Sequence, residues 1–297
     1  MEERKKPALR ELCTALSRLG VNNAENAAIE PFRAEEDGGE YEVWRIKTAE
    51  SEFVLKREKG REAELYKTFF PEKKPYAPAF LGETELEGDK YFLLEYIEGE
   101  TMTRCTREKL EKALIALETM QDEFWEREEY YDKVVTLEES VASVMSRSGW
   151  LGSEKLELAL SRFREIYMGT ERTLCHGDLL PFNVLVGERA VLFDWEYGGM
   201  QPYASSFARL IAHCGDEENA FFYMKKADRE FAIEHYYENL VKKHGVSRIS
   251  FGLTLDWFLF FEYTEWVMLG NRYGGGDDPR CVRSLKLAEA LADKLLG

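Results

Sequence analysis

Two carboxylates and an amide between residues 173 and 194 have the types and spacing that phosphoryl transfer needs. Asn183 follows Asp178 by five positions, and Asp194 follows Asn183 by eleven. The chemistry requires a carboxylate that orients the attacking hydroxyl and oxygen ligands that hold magnesium on the phosphates. Taken singly, each residue could be an ordinary turn former. Their order and spacing together favour a catalytic loop followed by a metal ligand.

The sequence around these residues predicts a β-hairpin. Two short apolar runs, 183–186 and 190–194, flank the glycine-containing turn Gly187-Glu188-Arg189. This pattern is typical of two antiparallel strands joined by a three-residue loop. Asp194 would then come directly after a tight hairpin.

In the amino-terminal part, a lysine ends a predicted strand and two glutamates on the following helix compete to be its partner. Alternation predicts strands over 42–47 and 53–56, and helical spacing predicts a helix over 61–70. Lys56 ends the second strand. Glu62 shares the apolar inward face of the helix, whereas Glu64 does not, so we expect Glu62 to pair with Lys56. A solvated lysine and glutamate of little energetic consequence is the alternative.

The order of the elements predicts an α+β fold with two lobes. Strands, including one over 91–97, fill the first hundred residues after an opening helix. Long helical segments follow over 106–127, 138–149 and 153–168, and helices return after Tyr203. We place the boundary at Gly99. Residues 1–99 would form a small antiparallel β-sheet lobe with one inward helix, and residues 100–297 a larger, mainly helical lobe.

Two short motifs resemble those of the aminoglycoside phosphotransferase and choline kinase family, which has a two-lobed protein-kinase-like fold. They are His176-Gly177-Asp178 with Asn183, and Phe193-Asp194-Trp195-Glu196. The resemblance is strongest over residues 35–100 and 172–212. By this resemblance the histidine of the first motif is a structural member of the loop.

The resemblance implies a role for each candidate residue. Asp178 would be the catalytic base, and Asn183 and Asp194 would hold Mg²⁺. Lys56 would bind the α- and β-phosphates of ATP, and Glu62 would orient Lys56. GTP is not excluded as the nucleotide.

Two further segments would complete the nucleotide site. Gly38 and Gly39 lack the full glycine pattern of protein kinases but fit the looser pattern of the family, and their amides could approach phosphates. A plain hairpin turn explains both glycines equally well. The segment 94–97 matches the connection between lobes, where main-chain groups of Glu95 and Ile97 would meet the adenine edge.

Two positions depart from the family pattern. Ser206 stands where the family often has an aspartate that anchors the catalytic loop, and Gln121 stands where it often has a histidine. Both departures leave the predicted base and metal ligands unchanged.

The carboxy-terminal helices would select the acceptor. Glu262, Glu265 and Trp266 share one face of a predicted helix with Phe258, and this face could receive a cation by charge and cation–π contact. The alternative is an aromatic stripe that packs in the core beside glutamates at a wet edge.

Composition limits the partners. The 40 basic and 56 acidic residues give a net charge of −16, which disfavours nucleic acids and acidic membrane surfaces. The apolar stretch 251–269 is interrupted by acidic residues, so we expect no membrane span. The five cysteines have no metal-binding spacing. Together with the lack of a signal-peptide core, they favour a cytoplasmic protein with reduced thiols.

The sequence thus predicts an ATP- and Mg²⁺-dependent kinase acting on a hydroxyl of a small, amine-bearing molecule. Aminoglycosides, choline or ethanolamine, homoserine and sugars all remain open, as does the oligomeric state. The main alternative is a catalytically silent nucleotide-binding or scaffold module of the same fold. A protein kinase is less favoured, because Trp195-Glu196 follows Asp194 where protein kinases have Phe-Gly.

Overall fold

The structure, a computed structural model, describes residues 7–33 and 39–297. The chain divides into two units, Met1–Glu98 and Gly99–Gly297. The first unit is built on an antiparallel sheet and the second is mainly helical. The α+β fold class predicted from the sequence is confirmed.

A five-stranded antiparallel sheet forms the amino-terminal unit, with strand order β1-β2-β3-β5-β4. The strands are β1 (Ala28–Arg33), β2 (Glu40–Lys47), β3 (Glu52–Arg57), β4 (Phe80–Leu86) and β5 (Asp89–Glu95). The strands predicted over 42–47, 53–56 and 91–97 correspond to β2, β3 and β5. The two strands not predicted, β1 and β4, lie at the edges and contain Pro31 and Gly82. These residues argue against a strand interior but are tolerated at an edge.

The two faces of this sheet are covered by different helices. On one face α1 (Leu9–Arg18) packs Leu12 and Leu16 against Ile46 and Leu55. The other face meets α2 (Glu62–Phe69) through aromatic rings. Successive side chains of a strand point to opposite faces, so Leu55 facing α1 directs Lys56 toward α2.

The carboxy-terminal unit contains seven of the helices and five short strands among the described residues. The helices are α3 (Arg107–Phe124), α4 (Leu137–Met145), α5 (Glu154–Gly169), α6 (Ala204–Ala212), α7 (Lys226–Tyr236), α8 (Arg248–Tyr273) and α9 (Pro279–Leu296). The strands are β6 (Glu100–Thr101), β7 (Arg172–Cys175), β8 (Val184–Val186), β9 (Ala190–Leu192) and β10 (Gly199–Pro202). A π-helical turn, Tyr237–Val241, extends α7, and short 3₁₀ turns occur at Ala24–Asn26, Glu128–Tyr130 and Pro181–Asn183.

The hairpin predicted after the catalytic loop is present. β8 and β9 pair antiparallel, with Val184 opposite Leu192 and Val186 opposite Ala190. The three-residue turn between them is closed by a 3.0 Å hydrogen bond from the Gly187 N–H to the Arg189 carbonyl. β6 pairs with β8, and β7 pairs with β10. These pairings hold the ends of the predicted catalytic loop.

Neither membrane spans nor disulfides contribute to the described structure. In the stretches 7–33 and 39–297, no helix is both long and apolar enough to cross a membrane. Each of the five cysteines is a free thiol, and Cys13 alone among them is not buried.

The packing of α1 predicts different costs for two leucines of the same helix. Leu16 is fully buried against the sheet, whereas Leu9 is 65% exposed. Leu16→Ala should lower the free energy of unfolding by about 2–5 kcal/mol, because it leaves a cavity in the core. Leu9→Ala should change it by less than about 0.5 kcal/mol. Urea denaturation measures both, and equal losses would contradict the packing described here.

Candidate active site

The amino-terminal unit brings Lys56 and Glu62 together. Lys56 lies in β3 and Glu62 opens α2, and Lys56 Nζ donates a hydrogen bond to Glu62 Oε2. The side chains of Lys56 and Glu62 are 12% and 6% exposed, and the ammonium lies 5.7 Å from the ring centroid of Phe92. Glu64, the competing partner, is exposed on the other side of α2. A buried pair of this kind fixes the direction of the lysine side chain far better than a solvated pair would.

The other nucleotide-site residues of this unit have less distinctive surroundings. The Glu95 N–H donates to the Ala79 carbonyl at 2.9 Å, and its carboxylate accepts from Lys73 Nζ at 2.6 Å. Ile97 is half-buried and lies beyond Glu95, the last paired residue of β5. Gly39 is exposed just before β2, and Gly38 lies outside the described residues.

The loop that carries Asp178 leaves β7 through a glycine that no other residue can replace without strain. Gly177 has φ +79°, and a Cβ added there would lie 2.0 Å from the Tyr197 carbonyl oxygen. The Asp178 carbonyl accepts hydrogen bonds from the Leu180 N–H at 2.8 Å and from Asn183 Nδ2 at 2.7 Å. These contacts turn the chain sharply and place the Asp178 side chain, 24% exposed, at the surface of the loop.

Asn183 and Asp194 are joined through the hairpin. The Phe193 N–H donates to the Asn183 carbonyl at 3.1 Å, which puts Asn183 beside the residue that precedes Asp194. The amide nitrogen of Asn183 donates to the Asp178 carbonyl, which leaves Oδ1, the only side-chain atom of Asn183 able to ligate a cation, on the other side of the amide group. Asp194 has φ +68°, a conformation that few residues other than glycine adopt. One amide oxygen and one carboxylate on a fixed hairpin suit a magnesium ion.

His176 connects the two halves of this arrangement. Its Nε2 lies 2.8 Å from the Phe193 carbonyl oxygen, and because a carbonyl only accepts, Nε2 carries the hydrogen. The imidazole also packs on the buried Trp195 ring, with centroids 4.5 Å apart. The Trp195 ring donates to the Leu192 carbonyl at 2.9 Å. His176, which precedes Gly177, is thus hydrogen-bonded to Phe193, which precedes Asp194.

The two departures from the family pattern are both accommodated. The His176 N–H donates to Ser206 Oγ at 2.8 Å, so the serine supplies an oxygen acceptor for the catalytic loop. Gln121 is fully buried in α3 and donates to the Tyr203 carbonyl at 2.9 Å. Its oxygen accepts from the Tyr236 hydroxyl at 2.6 Å.

Arg209, a residue that sequence reasoning missed, contacts Asp178 directly. Its Nε and Nη2 donate to Asp178 Oδ1 at 3.0 and 2.8 Å. Its Nη1 donates to Glu262 Oε2 at 2.8 Å and also to Glu265. Its place in the sequence was the available signal, because Arg209 is the one charged residue of α6 and the other residues of that helix are apolar or small. A charge on a buried helix needs partners from other elements.

The residues predicted to receive a cationic acceptor have cations of this chain as partners. Glu262 and Glu265 both bind Arg209, and Glu262 Oε2 also lies 3.1 Å from His213 Nε2. His213, Glu262 and Glu265 could geometrically hold a metal ion, but the Arg209 guanidinium already binds both carboxylates. The Trp266 ring has the Arg280 guanidinium 4.3 Å from its centroid. The predicted role of these residues in acceptor binding remains a prediction.

Burial and charge shift the pKa values of this cluster in opposite directions. Burial alone would raise the pKa of Glu262, but Arg209 and then His213 outweigh it and lower that pKa to about 2. For Arg209, burial would lower the pKa, but Glu262, Glu265 and Asp178 raise it well above its ordinary value. Tyr197, outside this cluster, differs: burial raises the pKa of its phenol, and the charges of Glu196, Asp178 and Asp194 raise it further. Arg209 and the glutamates therefore stay charged at neutral pH.

A family model supports the assignment. The model described as the phosphotransferase enzyme family, APH, matches residues 32–238 of the chain, which include both groups of site residues. The chain belongs to this family. The predicted resemblance and the prediction of a small-molecule phosphotransferase are confirmed.

One curated protein matches part of the chain. Protein LicA of Haemophilus influenzae is 29% identical over 148 residues, which are 46% of this chain and 52% of that protein. The chain thus spans about half the length of this curated relative.

Among solved structures, a thermostable mutant of aminoglycoside phosphotransferase APH(4)-Ia, in ternary complex with ADP and hygromycin B, has a TM-score of 0.59 at 11% identity. The match covers 95% of this chain and 97% of that one. Aminoglycoside phosphotransferase APH(3'')-Id from Streptomyces rimosus, in complex with ADP and streptomycin, has a TM-score of 0.51 at 17% identity. That match covers 82% of this chain and 97% of the other. These structures show that the fold is protein-kinase-like.

The glycine of the catalytic loop gives a test of the loop geometry. Gly177→Ala should destabilise the protein and abolish activity, because the methyl group would collide with the Tyr197 carbonyl. Gly245 has a similar φ of +82° with nothing within 4 Å of an added Cβ. Gly245→Ala should therefore show the cost of the positive φ alone, about 1 kcal/mol. Thermal unfolding of both variants measures the difference, and equal losses would rule out the collision.

Proposed function

We propose that the chain is an ATP- and Mg²⁺-dependent kinase that transfers the γ-phosphate to a hydroxyl of a small, amine-bearing acceptor. The observation that carries this proposal is the hydrogen-bonded group of Asp178, Asn183 and the hairpin that ends at Asp194. It supplies a carboxylate for the acceptor and oxygen ligands for a metal, as phosphoryl transfer requires.

The nucleotide would be held by the amino-terminal unit. Lys56, oriented by Glu62, would bind the α- and β-phosphates as a fixed point charge. The Glu95 N–H already donates to the Ala79 carbonyl, so the Glu95 carbonyl is the group that could accept from the adenine amino group. The N–H of Ile97 could donate to the ring. Two of the similar structures are described as complexes with ADP, which supports a nucleotide site of this kind.

The donor set at the hairpin fits magnesium. Oδ1 of Asn183 and the carboxylate of Asp194 are the hard oxygen ligands that this ion prefers. The bound ion would neutralise charge on the phosphates during transfer. The Asn183–Phe193 and His176–Phe193 hydrogen bonds would hold these two ligands in place.

The transfer step would use Asp178 as the base. Its carboxylate accepts a hydrogen bond from the acceptor hydroxyl and orients the oxygen toward the γ-phosphorus. The new O–P bond forms as the bond from the γ-phosphorus to the ADP oxygen breaks, and the hydroxyl proton passes to Asp178. The products are the phosphorylated acceptor and ADP.

An amine on the acceptor is supported by the charge of the chain and of the cluster near Asp178. The cluster contains three carboxylates, those of Asp178, Glu262 and Glu265, and two guanidinium groups, those of Arg209 and Arg147, so its acidic side chains outnumber its arginines by one. The chain as a whole carries −16. Such a field attracts cations. Two of the similar structures are described as complexes with the aminoglycosides hygromycin B and streptomycin.

The first test is transfer of labelled γ-phosphate into a panel of acceptors. Aminoglycosides, amino alcohols, hydroxy amino acids and sugars would each be incubated with the protein, ATP and Mg²⁺. Asp178→Asn should lower kcat by about 10²–10⁴-fold, because the amide cannot take the proton, and should leave nucleotide-dependent thermal stabilisation intact. Asp216→Asn, an exposed position in the same unit, is the matched control. Nucleotide binding without transfer to any acceptor would favour a silent binding module.

The amino-terminal ion pair gives an independent prediction for the nucleotide. Glu62→Gln should raise KM for ATP and lower kcat, because Lys56 loses the charged partner that orients it. Lys67 and Glu83 form an exposed pair at 2.6 Å in the same unit. Glu83→Gln should therefore leave both constants unchanged. Steady-state kinetics at varied ATP measures the effect, and equal behaviour of the two variants would remove Lys56 and Glu62 from the nucleotide site.

A further inference from the structure

We propose that Arg209 is a positioning residue for Asp178, and that Glu262 and Glu265 act through Arg209 instead of contacting the acceptor. The inference rests on the proposed role of Asp178 as the base. It assigns a function to a buried cluster that the phosphate-binding residues do not use.

The guanidinium of Arg209 uses all five of its N–H donors within the cluster. Nε–H and one Nη2–H donate to Asp178 Oδ1, and the other Nη2–H donates to Glu265 Oε1, with 3.4 Å between the nitrogen and the oxygen. The two Nη1 hydrogens go to Glu262 Oε2 and Glu265 Oε2. A planar group held on three sides cannot rotate without breaking several charged hydrogen bonds at once. Its orientation, and with it that of Asp178 Oδ1, is fixed.

The elements that supply these groups come from distant parts of the sequence. Arg209 lies on α6, Asp178 on the loop after β7, and both glutamates on α8, where Glu262 and Glu265 are three residues apart on one face. A second guanidinium, Arg147, donates to Thr264 Oγ1 at 3.0 Å and stands beside the same helix. Arg209 is therefore the link through which the packing of α8 reaches the catalytic loop.

The arrangement divides the two oxygens of Asp178 between two tasks. Both contacts from Arg209 go to Oδ1. Oδ2 is then the atom that can accept from the acceptor hydroxyl. When one oxygen of a carboxylate is held by hydrogen bonds, the position of the second oxygen is also defined. A misplacement of a reacting group by about 1 Å can lower the rate about 100-fold.

The exposure of the glutamates is consistent with this indirect role. The side chain of Glu262 is 8% exposed and both of its neighbours in the cluster, Arg209 and His213, are nitrogen donors. The side chain of Glu265 is 26% exposed, but both of its oxygens face the guanidinium. An acceptor amine would have to displace Arg209 to reach Glu262.

Kinetics of Arg209 variants test the proposal. Arg209→Gln should lower kcat by about 10–100-fold with KM for ATP unchanged, and Arg209→Lys should retain more activity than the glutamine variant because it keeps the charge. Added guanidinium ion should restore part of the activity of Arg209→Gly. Arg162→Gln, an exposed arginine on α5, is the control. Full activity of Arg209→Gln, or a loss confined to KM for the acceptor, would overturn the inference.

The glutamates distinguish positioning from acceptor binding. If they act through Arg209, Glu262→Gln and Glu265→Gln should lower kcat, and neither should lower it further in the Arg209→Gln background. If they bind the acceptor, they should raise KM for the acceptor with kcat kept, and the effects should add to that of Arg209→Gln. The second result would overturn the indirect role.

A measurement without turnover separates this inference from the proposed function. The free energies of unfolding of Asp178→Asn, Arg209→Gln and the double variant form a cycle that reports the coupling of the two side chains. Clear non-additivity supports the Arg209–Asp178 contact even if no acceptor in the panel is phosphorylated. Additive effects would overturn it even if the wild-type protein proves to be a kinase.

Discussion

The ion pair between Arg209 and Asp178 is the interaction on which the carboxy-terminal site depends. A buried guanidinium without partners would cost several kcal/mol, and removal of one partner of a buried pair commonly costs about 3–5 kcal/mol. Here three carboxylates compensate one such group, and each comes from a helix or loop that must be in place for the charges to balance. The folded arrangement of α6, α8 and the loop after β7 therefore depends on these ion pairs. Burial of these charges costs free energy of desolvation, and the ion pairs hold the Asp178 side chain in one orientation.

The second constraint is the set of hydrogen bonds that connects the Asp178 loop to the hairpin before Asp194, the proposed catalytic loop and metal site. His176 donates to the Phe193 carbonyl while the Phe193 N–H donates to the Asn183 carbonyl, so one residue of the hairpin receives both connections. Because both bonds involve main-chain atoms of Phe193, the position of Asp194 follows from the backbone and not from a mobile side chain. Ser206 then fixes the main chain of His176 itself. Asp178, Asn183 and Asp194, the proposed base and metal ligands, are thus held by one short hydrogen-bonded path that begins at Ser206.

Local patterns were sufficient for the parts of the site that lie close together in sequence. The β8–β9 hairpin and the choice of Glu62 over Glu64 as the partner of Lys56 follow from periodicity over about ten residues, and the structure has both the hairpin and the Lys56–Glu62 pair. The edge strands β1 and β4 were missed because Pro31 and Gly82 contradict a strand pattern that only pairing with a neighbour can rescue. Arg209 could not be assigned a partner, because its three carboxylates lie 31, 53 and 56 residues away in sequence. Periodicity placed Glu262 and Glu265 on one face of α8 correctly, but it could not show which cation that face meets.

The partners of Glu262, Glu265 and Trp266 change the argument about acceptor charge. A face of two glutamates and an aromatic ring favours a cationic ligand as long as the face is open. In the folded chain, Arg209 binds Glu262 and Glu265, and Arg280 lies over the Trp266 ring. An acceptor amine would have to compete with these intramolecular contacts, whose side chains are already ordered by folding. What remains for the acceptor is the residual field of the cluster and of the acidic surface, which acts over about 8–10 Å at ordinary ionic strength and is weakened by salt. Selection of a particular acceptor then depends on the shape of the space beside Asp178 and on how close its hydroxyl can come to the free oxygen of that carboxylate.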